Sequence, residues 1–114
     1  MNRNRAHTAL VKAIRLRLGA EDDVVMWLNT VSTVKTEWGW EAFGLSPGSS
    51  DLVGILAPSG RWVALEVKTG TGRAEKDQKL FIDLVRRLGG FAAVVRSELD
   101  AVEAIARARA GASE

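Results

Sequence analysis

Two short apolar runs in the middle of the chain restrict its fold more than any other feature. Residues 51–57 and 61–68 are each long enough for one strand, and Pro58-Ser59-Gly60 between them is typical of a tight turn. Two strands joined in this way form an antiparallel hairpin. We therefore predict a β-hairpin at the centre of the fold, with the remaining segments packed around it.

Helical and strand-like segments flank this hairpin on both sides. Helices are predicted over residues 4–18, 75–88 and 97–110, and strands over residues 24–29 and 91–95. A further strand is expected within residues 34–43, where a Trp-Gly-Trp sequence fits a loop equally well. This order predicts one α/β domain over residues 1–114, with a mixed central sheet of about four strands flanked by helices.

Composition limits the chemistry of any metal site. The chain has no cysteine and one histidine, so thiolate sites and histidine-rich sites are excluded. A metal would be held mainly by oxygen atoms, which favours Mg²⁺, Mn²⁺ or Ca²⁺. The lack of cysteine is compatible with a reducing cytoplasm. No secretory signal is recognisable, and no apolar run approaches the roughly 20 residues of a membrane span.

Positive charge is concentrated in the first twenty residues. The net charge is only +2, but this segment has five basic residues and no acidic one. Three of the basic residues, Arg5, Lys12 and Arg15, fall on one face of the first predicted helix. The pattern predicts a polyanionic partner, most plausibly nucleic acid. A solvated helix face that happens to be basic explains it equally well.

Charged residues interrupt the central strands at one end. Glu66 and Lys68 alternate with apolar residues, so their side chains face the same side of the strand. If Pro58 pairs with Arg61, Asp51 lies opposite Lys68, and Glu66 lies one step along the same face. A slip of one residue would turn Asp51 to the other face.

Two carboxylates and an ammonium group at one edge of a sheet suit phosphodiester hydrolysis. Asp51 and Glu66 can hold a hard divalent cation, which neutralises charge on the phosphate and activates a water. Lys68 can orient that water or stabilise the developing charge. The structural alternative is a Glu66–Lys68 ion pair at a strand end, with Asp51 capping a turn. The glycine-containing loop before Asp51 and the basic helix upstream favour the catalytic interpretation.

Together these residues resemble the virus-type replication-repair nuclease (VRR-NUC) family of the PD-(D/E)XK superfamily. The resemblance runs from the first helix to the last and is most specific at residues 47–55 and 65–69. It implies a PD-(D/E)XK restriction-endonuclease-like core. It also implies a metal bound by Asp51, Glu66 and the backbone carbonyl of Val67.

The same resemblance implies two further active-site residues and shows two departures. Lys68 corresponds to the catalytic lysine, and Gln78 to a companion that contacts water or phosphate. Ser50 stands where the family often has proline. Many relatives place an acid on the first helix, whereas here His7 is the polar residue that faces inward. His7 either assists a water or phosphate or is a satisfied core residue, and the core interpretation is favoured.

Candidate DNA contacts surround this site. They are Arg5, Lys12, Arg15, Ser49, Ser50, Thr71, Arg73 and Lys76. Trp38 and Trp40 offer ring faces on which unpaired bases can stack. Core packing or a subunit contact is the more common role of aromatic residues in a small protein.

The resemblance implies a Mg²⁺-dependent DNA endonuclease for which Mn²⁺ substitutes. Stand-alone members of the family are typically viral, including phage, and resemble resolvases of four-way (Holliday) junctions, so branched DNA is the expected substrate. A junction with two-fold symmetry fits a homodimer. No membrane partner is expected, and the location would be the cytoplasm of the host cell. The alternatives are a nuclease for flap, single-stranded or duplex DNA, and a non-catalytic DNA-binding module.

Overall fold

Three helices and six strands make up residues 3–114, the part of the chain that the computed structural model describes. In chain order they are α1 (Arg3–Leu18), β1 (Val24–Leu28), β2 (Ser32–Thr36), β3 (Gly39–Phe43), β4 (Leu52–Leu56), β5 (Arg61–Val67), α2 (Lys76–Arg87), β6 (Phe91–Val95) and α3 (Glu98–Arg109). The first two residues of the predicted domain lie outside the described part. Within that part, no helix is both long and apolar enough to cross a bilayer.

Four of the strands form one mixed sheet, as predicted. Their order is β1-β4-β5-β6; β1, β4 and β5 are antiparallel, and β6 is parallel to β5. A parallel neighbour requires a crossover, and α2 supplies it between β5 and β6. Helices α1 and α3 pack on one face of the sheet and α2 on the other. The predicted α/β architecture, a mixed four-stranded sheet flanked by helices, is confirmed.

The register of the β4–β5 hairpin differs by two residues from the prediction. Leu56 pairs with Arg61 and Leu52 with Leu65, because residues 57–60 form a four-residue loop where a two-residue turn was expected. A shift of two residues leaves every side chain on its predicted face. Continued by one step, the observed register places Asp51 opposite Glu66, whereas the prediction placed it opposite Lys68.

The second sheet is a hairpin that the sequence did not predict. One strand was expected within residues 34–43, but β2 and β3 pair with each other as a separate two-stranded sheet. The side chains of Trp38 and Trp40 are 86% and 69% exposed. The core interpretation of these two tryptophans is therefore wrong, since this hairpin contributes no residue to either buried cluster.

Candidate active site

Asp51 lies immediately before β4, at the end of the sheet where β5 also ends. Its Oδ2 accepts a hydrogen bond of 2.8 Å from the backbone N–H of Val67. Its backbone oxygen accepts one of 2.9 Å from the N–H of Asn29, which follows β1. The carboxyl group of Asp51 is therefore held by β5, and the backbone of Asp51 is held by the residue that follows β1.

Glu66 is the buried acid of the site. Glu66 is only 2% exposed, and its Oε2 is buried without a hydrogen-bond partner. Burial raises the pKa of Glu66 to about 8, and the nearby carboxyl group of Asp51 acts in the same direction. Keeping both carboxylates ionised therefore requires additional positive charge beside them.

Lys68 supplies part of that charge. Its Nζ lies 3.8 Å from Oε1 of Glu66, and the ammonium group lowers the pKa of Glu66, although less than burial and Asp51 raise it. The backbone N–H of Lys68 donates to the carbonyl of Val95 on β6, at 3.0 Å. Strand β6 therefore fixes the backbone of Lys68.

These donors fit a hard divalent cation. Two neighbouring carboxylates, one with an unpartnered buried oxygen, are the ligands that Mg²⁺ and Mn²⁺ prefer. Among residues 3–114, no three side chains of His, Cys, Asp or Glu form a group that could hold a metal by themselves. Backbone oxygen and water would have to complete the coordination. Mg²⁺ commonly keeps several of its waters, so such a site is chemically adequate.

His7 lies at this site and not in the core. Its Nε2 is 3.1 Å from the carbonyl oxygen of Val67 and 3.3 Å from Oδ2 of Asp51, and its side chain is 34% exposed. The core interpretation of His7 was wrong for a simple reason. His7 comes one helical turn before Val11, the first buried residue of α1, so it reaches the edge of the sheet beyond the packed core.

Comparison with known families supplies an independent observation. Residues 30–99, more than half of the chain, match the model of the VRR-NUC domain. The chain belongs to the VRR-NUC family. This membership indicates a nuclease with a PD-(D/E)XK-like core, and both agree with the prediction. The match includes Asp51, Glu66 and Lys68 but begins after α1, so it is narrower than the resemblance described above. A search of curated proteins gave no match to this chain.

Asn29 organises the loop that carries Asp51 in this VRR-NUC domain. Its Nδ2 donates to Oγ of Ser49 at 2.7 Å and to the carbonyl of Ser50 at 2.9 Å. Its Oδ1 accepts from the N–H of Leu45 at 3.1 Å. The sequence analysis missed this residue. The one available signal was a polar residue directly after the apolar run of β1.

The two serines before Asp51 differ in their accessibility. Ser50 is fully buried, and its hydroxyl group has no hydrogen-bond partner. The structure therefore does not support the predicted DNA contact by the Ser50 side chain. Ser49 is half-buried, and its hydroxyl oxygen is occupied by Asn29. Both serines therefore help to hold the loop before Asp51 in place, through their bonds to Asn29.

Two open clefts meet at His7. One, of about 560 Å³, is lined by Lys68, Thr71 and Arg73 among others. The other, of about 440 Å³, is lined by Lys12 and Asp51 among others. Three predicted DNA contacts, Lys12, Thr71 and Arg73, thus border the site. Arg5, Arg15 and Lys76 are exposed, but none of the three lines either cleft.

Two neighbouring polar residues have structural partners. Arg96 donates from Nη1 to the carbonyls of Gly72, at 2.6 Å, and Gly70, at 3.3 Å, and so holds the loop that carries Thr71. Gln78 accepts at Oε1 from the N–H of Glu75, at 2.8 Å, at the start of α2. This helix-capping contact of Gln78 was not predicted. Its contact with water or phosphate stays a prediction.

Proposed function

We propose that this VRR-NUC domain is a Mg²⁺-dependent DNA endonuclease that hydrolyses phosphodiester bonds and also accepts Mn²⁺. The observation that carries the proposal is the pair of carboxyl groups of Asp51 and Glu66. One oxygen of Glu66 is buried without a partner, and the pKa of Glu66 is raised to about 8. Burying such a pair costs stability unless positive charge lies beside it, and a bound cation is the charge that we propose.

The residues divide the work as follows. Asp51, Glu66 and the carbonyl of Val67 would hold the cation, which would supply charge neutralisation at the phosphate and make a bound water more acidic. Lys68 presents its ammonium group 3.8 Å from Glu66 and would stabilise the negative charge that develops on the phosphate. The backbone bonds to Asp51 and Lys68 hold both side chains in place before the substrate arrives.

DNA is the proposed substrate, and branched DNA such as a four-way junction is the proposed preferred form. Lys12 and Arg73, which line the two clefts, are suited to contact phosphates on either side of the site. The preference for branched DNA rests on the likeness to stand-alone viral resolvases, and a viral source with action in the host cytoplasm is part of the same proposal.

A homodimer is proposed because paired cuts across a two-fold symmetric junction require two active sites. The exposed apolar side chains of the β2–β3 hairpin support this proposal. Trp38, Trp40 and Phe43 are exposed on it, and apolar surface of this kind is commonly covered in an assembly. Sedimentation alone and with junction DNA tests the proposal; a monomer under both conditions contradicts it.

Cleavage of labelled DNA tests the nuclease proposal. Four-way junction, flap, single-stranded and linear duplex substrates are compared at equal concentration with Mg²⁺, Mn²⁺ or EDTA. We expect fastest cleavage of the junction and none in EDTA. Asp51→Asn should lower the rate by at least about 1000-fold while DNA binding is retained, because removing a metal ligand removes several kcal/mol of transition-state stabilisation.

Asp22→Asn, at an exposed position outside the site, is the matched control and should cleave normally. If the wild type binds DNA but cleaves none of these substrates with either metal, the chain is a binding module and the enzymatic proposal is wrong. Equal rates on junction and linear duplex would remove only the proposed preference.

A further inference from the structure

We propose that His7 is a direct ligand of the catalytic cation and biases the site toward Mn²⁺. This inference rests on the proposed metal-dependent function and adds to it a ligand from α1. The observation behind it is that Nε2 of His7 approaches two oxygen atoms, Val67 O and Asp51 Oδ2, which the proposed function already assigns to the cation.

The spacing of these donors matches that of ligands around one ion. Neighbouring ligands of an octahedral cation with bonds of about 2.0–2.1 Å lie about 3 Å apart. Nε2 of His7 lies 3.1 Å from the carbonyl oxygen of Val67 and 3.3 Å from Oδ2 of Asp51. These contacts lie where two clefts meet, so a ligand can reach them from solvent.

The hydrogen bonding of His7 is also compatible with ligation. A carbonyl oxygen can only accept, so Nε2 carries a proton while it bonds to Val67. The other neutral tautomer has its proton on Nδ1 and presents a lone pair from Nε2 in the same direction. A change of tautomer therefore frees Nε2 to bind a cation. Binding would draw His7 closer to Asp51 and Glu66, because these three side chains do not form a metal-holding group in the arrangement seen here.

A nitrogen ligand changes the order of metal affinities. Carboxylate and carbonyl oxygens suit Mg²⁺ and Mn²⁺ alike, whereas imidazole adds most to the binding of the softer transition-metal ions. The site without His7 would hold the two ions through oxygen only. With His7 as a ligand, we expect the wild type to bind Mn²⁺ more tightly than Mg²⁺, and to lose that difference when the imidazole is removed.

The test uses the fact that His7 is the only histidine in the chain. Mn²⁺ bound to untagged protein is examined by electron spin-echo spectroscopy, which detects an imidazole nitrogen coordinated to the ion. Any such signal belongs to His7. Mn²⁺ and Mg²⁺ affinities are measured in parallel by calorimetry on the wild type, His7→Gln, His7→Ala and the control Thr8→Ala, an exposed neighbour on α1.

We expect an imidazole signal in the wild type and in Thr8→Ala, and none in the two His7 variants. His7→Ala should weaken Mn²⁺ binding by about 10-fold or more and Mg²⁺ binding by much less. His7→Gln keeps a hydrogen-bond donor near Val67 but has no imidazole. A loss of Mn²⁺ affinity in this variant would therefore come from the lost ligand and not from a lost hydrogen bond. Thermal melting of each variant establishes that the fold is intact.

Three results would contradict the inference, and the third would also contradict the proposed function. Mn²⁺ that binds in an Asp51-dependent manner but shows no imidazole nitrogen removes His7 as a ligand and leaves the proposed function standing. Unchanged metal affinity in His7→Ala together with slower cleavage would mean that His7 contacts a water or phosphate. That result also overturns the inference that His7 is a metal ligand. If the wild type binds neither ion, with or without DNA, the proposed function fails together with the inference.

Discussion

The two hairpins of this VRR-NUC domain have strands of similar length and opposite environments. The β4–β5 hairpin lies inside the four-stranded sheet, and Trp62 is the one exposed residue among the seven of β5. The β2–β3 hairpin pairs only with itself in the described sheets, and nine of its ten strand residues are exposed. Strand formation therefore does not by itself indicate where a hairpin lies in this fold.

The difference explains why the chemistry is at the end of β5. A buried strand removes water from Glu66, and the low polarity of that environment is what raises the pKa of this carboxyl group. The acids of the exposed hairpin, Glu37 and Glu41, stay in contact with solvent. Acidic residues occur in both hairpins, but only the buried hairpin removes its acid from water.

The largest expected contrast between the hairpins is in stability. Leu65→Ala should lower the free energy of unfolding by about 2–5 kcal/mol, because Leu65 is fully buried between the sheet and α1 and α3. Trp40→Ala should change it by less than about 0.5 kcal/mol at concentrations where the proposed homodimer is dissociated, because Trp40 is 69% exposed in the single chain. Urea denaturation measures both. A loss of more than about 2 kcal/mol in Trp40→Ala would mean that the β2–β3 hairpin is packed in solution.

The second contrast concerns pH. The metal-free native protein keeps a proton on Glu66 up to about pH 8, whereas the unfolded chain ionises near the ordinary pKa of 4.5. The stabilisation from this proton is complete below about pH 4.5 and is lost as the pH rises through about 8. Between pH 5 and pH 8, the Tm of the wild type should therefore fall by roughly 10–20 °C relative to Glu66→Gln.

Thermal melts in EDTA measure this effect, and Glu37→Gln in the exposed hairpin is the matched control. The groups whose charges act on Glu66 are Asp51, Lys68 and Asp77, and all are retained in both variants. Parallel Tm curves for the wild type and Glu66→Gln would show that Glu66 ionises normally. Saturating Mg²⁺ should reduce the decline of the wild type with pH, because a bound cation favours the ionised acid.

A smaller effect is expected where the two regions join. Asn29 binds the site loop through Ser49 and Ser50 and binds Leu45 at the end of the exposed hairpin. Asn29→Ala should cost about 1–2 kcal/mol of stability and also weaken Mg²⁺ binding, because the loop before Asp51 loses its support. Thr30→Ala, its exposed neighbour, is the control. Reduced stability with unchanged metal affinity would limit Asn29 to a structural role.

The smallest expected effect is on DNA binding, and it distinguishes a lysine beside the site from a lysine on the exposed hairpin. Lys12 lines a cleft with Asp51, whereas Lys35 lies on the exposed strand β2. Lys12→Ala should weaken DNA binding by about 2–5-fold and lower the slope of log K against log salt by about one, as expected for one lost phosphate contact. Lys35→Ala should change neither. Equal effects in a salt titration would mean that DNA also covers the β2–β3 hairpin.

Much of the sheet followed directly from sequence patterns. Strand β6 was predicted with its observed bounds, and β1, β4 and β5 were predicted to within one residue at each end, because apolar runs bounded by turn residues are a local signal. The alternation of Glu66 and Lys68 placed both on one face for the same reason. The register error was harmless, because a shift of two residues preserves the face.

The second hairpin was harder to predict. Residues 32–43 mix polar and apolar side chains without a buried face, so neither a helical nor a strand period stands out. Whether Trp38 and Trp40 are buried depends on what packs against them, which no local pattern records.

The sequence alone therefore determined the order of the elements apart from the β2–β3 hairpin, the acids and lysine at one end of the central strands, and the family to which the chain belongs. Tertiary structure decided that His7 and Asn29 lie beside them and that Glu66 loses its contact with water. His7 and Val67 are 60 residues apart in the chain and 3.1 Å apart at their nearest polar atoms. Periodicity describes neighbours along one element, whereas contacts of this kind arise only when separate elements pack against each other.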